Sequence, residues 1–251
     1  MISFVIPAYD EERLIGGTID ALHAAGAALG EAYEIVVVDD ASSDATADIA
    51  RAHGARLVRV ALRHIAATRN AGARAASGEL LVFVDADTLV PPDTARAAVD
   101  AMRQGAVGGG APLRFDGAVP LSVRVLTAVA MAAFRALGRA AGCFIFCTRA
   151  AFDAIGGFDE AYFGAEDLVM SRALKRHGRF VVLRTPVITS GRKIRTHRAR
   201  DMLRVLARLA FQGPRVIKQR RGMELWYGER QHDVDAAEKD RPSRFGRKPF
   251  R

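Results

Sequence analysis

The sequence predicts an α/β fold: a mostly parallel sheet flanked by helices, followed by a smaller C-terminal region. Three observations carry this expectation. Short apolar runs bounded by turn residues alternate with helix-length segments over the first 115 residues, as in successive strand–helix units. Leu80–Val84 is five apolar residues without a polar break, the pattern of a strand buried on both faces. Several runs end in polar or acidic groups, at Pro7-Ala8-Tyr9, at Asp39-Asp40 and at Asp85-Ala86-Asp87, and parallel sheets bind ligands at such carboxyl edges.

Residues 3–6 form the first short strand. A helix follows through about residue 29, with Asp10 as candidate N-cap and Leu14, Ile15, Ile19 and Leu22 on one face. Residues 34–38 make the second buried strand. Turn residues Ala41 to Asp44 then open a helix to about residue 53, and Arg56–Val60 is the third strand. Residues 69–78 read as a helix of small side chains packed close to the sheet and ended by Gly78. After the central strand, Pro91 and Pro92 start a helix over residues 91–104. Residues 107–111 are glycine-rich and read as a strand pressed close to a ligand.

Periodicity changes after about Phe115. Residues 119–138 read as an apolar helix, but Pro120, Arg124 and Arg135 make it a poor membrane span and suit a buried or interfacial helix. A strand over 142–148, a helix at Arg149–Ile155 closed by Gly156-Gly157, and an aromatic loop over 158–163 follow. Next come a helix at Glu166–His177 closed by Gly178, and strands at 180–183 and Val187–Thr189. Residues 198–211 form a basic amphipathic helix, with Met202, Leu203, Leu206 and Leu209 on one face and Arg200, Arg204 and Arg208 on another. Beyond residue 228 the chain is polar without periodicity, as in a disordered tail. The predicted divisions are therefore 1–115, 116–228 and 229–251.

Half of the 251 residues are hydrophobic, which excludes disordered and fibrous classes. The opening residues lack a basic segment followed by an apolar one, so no signal peptide is expected and a cytoplasmic location fits. Cys143 and Cys147, four apart on an apolar run, read as core residues. The net charge of +9 is concentrated: residues 192–221 hold eleven Lys or Arg and one acid. Such a cluster suits a phosphate-rich partner, whether nucleotide, anionic membrane or nucleic acid. Phe211 is its only aromatic residue, so nucleic acid, which needs stacking platforms, is not expected. Peripheral contact with an anionic membrane, at the inner face, stays open.

Asp85 and Asp87 can together hold a hard divalent cation that neutralises a diphosphate, although Asp at a strand end also serves as a turn residue or helix cap. Glu166 and Asp167 open a helix, where the macrodipole favours acids; a carboxylate there can also act as general base toward a hydroxyl. Arg192, Lys193 and His197 cluster in a way that suits a diphosphate, with His197 a candidate metal ligand.

In order along the chain stand Ser3-Phe-Val-Ile-Pro-Ala-Tyr-Asp-Glu11, Ile35-Val-Val-Val-Asp-Asp-Ala-Ser-Ser-Asp44, Arg69-Asn-Ala-Gly72, Asp85-Ala-Asp87, Gly156-Gly-Phe-Asp-Glu160 and Glu166-Asp167. Each alone is weak, but the ordered set resembles the family 2 glycosyltransferases over about residues 1–178. The resemblance implies the GT-A fold, a Rossmann-like sheet with an acceptor-side region. It implies transfer from a nucleotide-diphospho-sugar, a UDP- or GDP-sugar, usually with inversion. Pro7, Ala8, Tyr9, Glu11, Asp40 and Arg69 would then belong to the donor pocket, with Asp85 near the ribose or metal. Asp87 would ligate Mn²⁺ or Mg²⁺, and Asp167 would be the catalytic base. Glu166, Arg192 and Lys193 would face the acceptor or phosphates, making 1–115 the donor half and 116–228 the acceptor half. The Gln-x-x-Arg-Trp motif of processive synthases is missing, since Trp226 sits in Glu-Leu-Trp-Tyr, and no multi-span region follows. Both departures favour single transfer to a hydroxyl acceptor, with a lipid-linked acceptor as one option.

Other readings compete. A phosphatase of haloacid-dehalogenase type also places Asp-x-Asp after a buried strand, but wants Thr or Val where Leu89 stands and opens its chain with the motif. A nicotinamide-binding domain needs Gly-x-Gly-x-x-Gly after the first strand, and Pro7-Ala-Tyr-Asp-Glu-Glu12 is not that. A nucleotidyltransferase would show a glycine-rich loop with a basic residue near the N-terminus. A non-catalytic membrane-surface module would need only the basic helix.

Overall fold

The computed structural model describes residues 1–117, 119–140 and 142–192. Lys193, His197, the basic helix over 198–211 and the tail over 229–251 lie outside the described residues.

The first half is β1 (Ile2–Ala8), α1 (Ile15–Leu29), β2 (Tyr33–Asp40), α2 (Thr46–Ala52), β3 (Arg56–Val60), α3 (Ile65–Ala75), β4 (Leu80–Val84), β5 (Thr88–Leu89), α4 (Pro92–Arg103), β6 (Gly108–Gly110) and β7 (Leu113–Phe115). The second half is α5 (Leu121–Ala136), β8 (Phe144–Thr148), α6 (Arg149–Ile155), α7 (Glu166–His177), β9 (Phe180–Val182) and β10 (Val187–Thr189). The main sheet has seven strands in the order β3-β2-β1-β4-β8-β6-β9, and β8 alone runs against the others. A second sheet, β5-β10-β7, stands beside it.

Strand alternation divides the core into two layers. Phe4 and Ile6, Val82 and Val84, and Phe144 and Phe146 face one layer, shared with Ile15, Ile19 and Leu22 of α1 and Val99 and Met102 of α4. Val5, Leu81, Phe83, Ile145 and Cys147 face the other, shared with α3, α6 and α7. There Phe83 meets Phe158 edge-on at 4.9 Å and stacks on Phe152 at 5.6 Å between centroids. Cys143 and Cys147 are both buried and unbridged, as expected.

Several elements differ from the sequence expectation. Asp10 is not an N-cap: α1 starts at Ile15, and Asp10, at φ 49°, accepts instead from the Ser43 amide at 2.7 Å. The small-residue helix starts four residues early and ends at Ala75, because His64 caps it and Arg149 donates to the carbonyls of Ala73, Ala76 and Gly78. Its close packing is real: a Cβ on Gly72 would lie 2.3 Å from Val5 Cγ1. Gly78 serves the strand after it; its amide donates to Ser3 Oγ, and a Cβ there would lie 2.5 Å from that oxygen. The glycine strand is pressed against protein rather than ligand. A Cβ on Gly109 would lie 2.0 Å from the Val181 carbonyl oxygen and 2.4 Å from the Phe146 ring.

Topology positions the site. Parallel pairing brings the carboxyl ends of β1, β2 and β4 to one edge, with Ala8 level with Asp39. Because β8 is reversed, the residues entering it arrive at that same edge: the Asp85 amide donates to the Cys143 carbonyl at 3.2 Å.

Candidate active site

A cleft of about 430 Å³ opens along this edge. Its wall includes Pro7, Ala8, Tyr9, Glu11, Asp40, Arg69, Asp85, Asp87, Glu166 and Asp167, so nearly every described residue expected from the sequence meets there. Arg192 joins through Glu11: its Nη2 lies 2.9 and 3.1 Å from the two Glu11 carboxylate oxygens.

Asp40 ends β2 with both oxygens engaged by protein. They accept from the amides of Leu62 at 2.6 Å, Arg63 at 2.9 Å and His64 at 3.2 Å, and from Thr68 Oγ1 at 2.9 Å. This carboxylate thus fixes the loop entering α3 and neutralises the positive end of that helix. The loop carries Arg63, whose guanidinium carbon lies 3.4 Å over the Tyr9 ring centroid.

Arg69, on α3, is buried and spans three segments. Nη1 lies 2.6 Å from Glu166 Oε1, Nη2 lies 2.8 Å from Asp85 Oδ1, and Nη2 also donates to the Gly142 carbonyl at 3.0 Å. Burial alone would lower its pKa, but Asp85 and Glu166 overcome that and hold it further up, so it stays a cation. Beside it, Asn70 bonds the amide and carbonyl of Phe158 and the Glu160 carboxylate, which fixes the Gly-Gly-Phe-Asp-Glu loop.

The Asp85–Asp87 loop is held from both sides. Thr18 Oγ1 donates to the Ala86 carbonyl at 2.8 Å, and the Ser190 amide donates to the Asp87 carbonyl at 3.1 Å. Thr189 Oγ1 stands 3.4 Å from Asp87 Oδ1. The small sheet therefore ties this loop to the chain leading to Arg192.

Asp167, in the first turn of α7, is half-buried at the cleft wall. Burial and the adjacent Glu166 carboxylate push its carboxyl up to about 7, against the pull of Arg69 and the Leu168 amide. Gly142 backs it: a Cβ there would lie 2.9 Å from Asp167 Oδ2. A carboxyl titrating near neutrality in a cleft can take and return a proton. The Cys143 thiol is pushed well up by burial and by Asp85, Asp87 and Asp167, so it is not a nucleophile here.

Residues 3–150 match the family described as "Glycosyl transferase family 2", which is more than half of the chain. The chain belongs to that family. The chain is 36% identical over 116 residues to undecaprenyl-phosphate 4-deoxy-4-formamido-L-arabinose transferase of Edwardsiella ictaluri, covering 41% of the chain and 34% of the relative. It is 38% identical over 98 residues to validoxylamine A glucosyltransferase of Streptomyces hygroscopicus, covering 37% of the chain and 23% of the relative. It thus spans about a third or less of the length of these curated relatives. The mannosyltransferase PcManGT of Pyrobaculum calidifontis, solved with GDP-Man and Mn²⁺, superposes with a TM-score of 0.64 at 22% identity, covering 86% of this chain and 62% of that one. TarS of S. aureus, solved with UDP-GlcNAc, gives a TM-score of 0.59 at 21% identity, covering 76% of this chain and 58% of that one. At these identities the likeness establishes the GT-A fold. The phosphatase and non-catalytic readings find no support in these similarities.

Sequence reading missed Arg63, His64, Thr68, Gly142, Cys143 and the Phe163–Ala165 turn, all of which line the cleft. Arg63 and His64 lie in an aperiodic loop after an edge strand, and only the proximity of Arg69 hinted at them. The sequence pattern puts Gly142 first in a strand; the strand starts at Phe144, which frees Gly142 to back Asp167.

Proposed function

We propose that this transferase moves a sugar from a nucleoside-diphosphate donor to an acceptor hydroxyl by a single displacement with inversion, with Asp167 as base. The observation that carries this reading is Asp167 itself, a carboxyl raised to about 7 at the wall of the cleft that also holds Asp85 and Asp87. In that role Asp167 removes the acceptor proton as the hydroxyl attacks the anomeric carbon, and the carbon–oxygen bond to the diphosphate breaks on the opposite face. Arg69, bonded to Glu166 and Asp85, and Glu166 beside it set the charge around Asp167. Tyr9, Arg63 and Ala8 bound the nucleotide end. Residues 1–115 supply the donor side, and the described residues from 116 to 192 the acceptor side.

The donor set fits a small, hard divalent cation. Asp85 and Asp87 supply carboxylate oxygens to the cleft, one oxygen of Asp85 being shared with Arg69. Among the described residues no cluster of three or more His, Cys, Asp or Glu can enclose an ion. A Mg²⁺ or Mn²⁺ ion held by one or two carboxylates completes its shell with phosphate oxygens and water. Bound there, it would offset charge on the departing diphosphate. The Mn²⁺ bound with GDP-Man in PcManGT supports this assignment. No described helix is long and apolar enough to cross a membrane.

The test is a melting-temperature panel of UDP, GDP, dTDP and CDP with and without Mn²⁺. A nucleotide at ~100 times its dissociation constant adds roughly 2.7 kcal/mol, or about 5–10 °C for a chain of this size. One nucleotide should give a metal-dependent rise that Asp87→Asn removes and Asp167→Asn keeps. A cooperative melt unmoved by every nucleotide sinks the donor assignment.

A further inference from the structure

We infer that α5 is a docking surface for an anionic lipid bilayer. The described residues hold five large apolar side chains that stand more than half exposed: Leu121 at 71%, Leu126 at 67%, Val129 at 62%, Val125 at 55% and Leu137 at 54%. All five belong to α5 or the residue that follows it. At 100° per residue, Leu121, Val125 and Val129 share one arc with Ala132 and Ala136, and Leu126 and Leu137 widen it. Met131, on the other side of the helix, packs against the core. A contiguous exposed apolar face on a chain with a well-filled core marks an interaction site.

Charge identifies the occupant. Between Asp116 and Asp153 the sequence has no acid, while Arg124 and Arg135 lie on α5 and Arg139 just after it; Arg149 is taken up by the carbonyls of Ala73, Ala76 and Gly78. Arg124 and Arg135 are exposed and share one flank of α5, where their stems can lie along the apolar face and their heads can reach outward. The chain's own basic segment, residues 192–221 with eleven cations and one acid, is a poor cover for such a face because like charges would meet. A second copy packed antiparallel would bring Arg124 against Arg135, again without a counter-charge. A phospholipid surface satisfies both features, with acyl chains for the apolar arc and phosphates for the flanking arginines. At 16 residues α5 is about 24 Å long and lies in the plane of the interface rather than crossing it.

The placement bears on the cleft. Lys175 Nζ donates to the Leu137 carbonyl at 3.1 Å, fixing the end of α5 to α7. The chain then runs from buried Ala140 toward Gly142 at the cleft wall, so a bilayer on α5 brings the headgroup layer beside the acceptor side. The docking claim does not depend on the transferase assignment, and its test needs no sugar transfer.

The test is sedimentation of the full chain with phosphatidylcholine vesicles and with vesicles that also contain phosphatidylglycerol. Binding to the anionic vesicles only is expected. The variant Val125→Ser/Leu126→Ser/Val129→Ser should keep its melting temperature and bind at least ~10-fold more weakly, since three apolar side chains leave the interface. Arg124→Gln/Arg135→Gln should lose roughly 10-fold as well. Three results overturn the proposal: no vesicle binding, serine-variant binding equal to the parent through residues 192–221 alone, or light scattering showing a dimer that the serine variant dissociates.

Discussion

Arg69 Nη1 lies 2.6 Å from Glu166 Oε1, a buried ion pair that joins α3 to the start of α7 across the floor of the cleft. The other arm of the same guanidinium holds Asp85 and the Gly142 carbonyl. Arg69→Met should therefore leave Glu166 charged and buried without a partner, lowering stability by about 3–5 kcal/mol. Arg69→Lys should recover only part of this, because one ammonium cannot reproduce the two-armed fork. Urea unfolding midpoints check both; a loss under ~1 kcal/mol for Arg69→Met would refute the strut.

As the proposed base, Asp167 should set the pH response. Its carboxyl titrates near 7, above the ordinary value of 3.8, so its base form grows as pH rises through 7. Turnover should climb with an apparent pKa near 7 and level off above it, until other groups titrate. The same shift predicts a stability effect of opposite sign. The folded state binds this proton more tightly than the unfolded chain, so the ionised form costs stability that is absent below pH ~4 and complete above ~7. Asp167→Asn should thus abolish transfer yet melt higher at pH 8, with no gain at pH 4. Equal melting of the two proteins at both pH values would contradict the raised carboxyl.

Gly142 lies where a single carbon would touch the proposed base. Its Cβ would sit 2.9 Å from Asp167 Oδ2, so Gly142→Ala must displace that carboxylate. Turnover should fall ~10-fold or more with donor-induced melting shifts retained. A loss of donor binding with turnover per bound donor unchanged would relocate the role of Gly142.

Gly109 makes a purely structural prediction. An added Cβ would lie 2.0 Å from the Val181 carbonyl oxygen and also strike Phe146, both fixed within the sheet. Gly109→Ala should destabilise by roughly 1–3 kcal/mol, read from thermal unfolding, with donor affinity unchanged at temperatures where the variant is folded.

The strand ends and the helix start that line the cleft were the more legible part. Leu80–Val84 announced itself because a strand buried on both faces leaves an unbroken apolar run, and Asp40, Asp85 and Asp167 stood where strand ends and a helix start must put them. What escaped detection depended on contacts distant in sequence. The start of α3 is set by Asp40 from twenty-four residues upstream, through the His64 amide, and its end by Arg149. Gly109 looks from the sequence like a place for a ligand to approach closely, and only the neighbouring strand explains it. The two-residue β5 and three-residue β7 are too short for any periodicity, and they exist only because β10 returns between them.

The reversed strand β8 has a consequence for biosynthesis. It occupies the slot between β4 and β6, yet its residues follow those of β4 by some sixty positions. A nascent chain can pair β1 through β4 from local crossovers, while the free side of Leu80–Val84, an apolar run with open amides and carbonyls, has its native partner only after Thr148 has left the ribosome tunnel. Stalled chains ending before Phe144 should accordingly be protease-sensitive and prone to self-association, and chains in which Thr148 has emerged should be markedly less so.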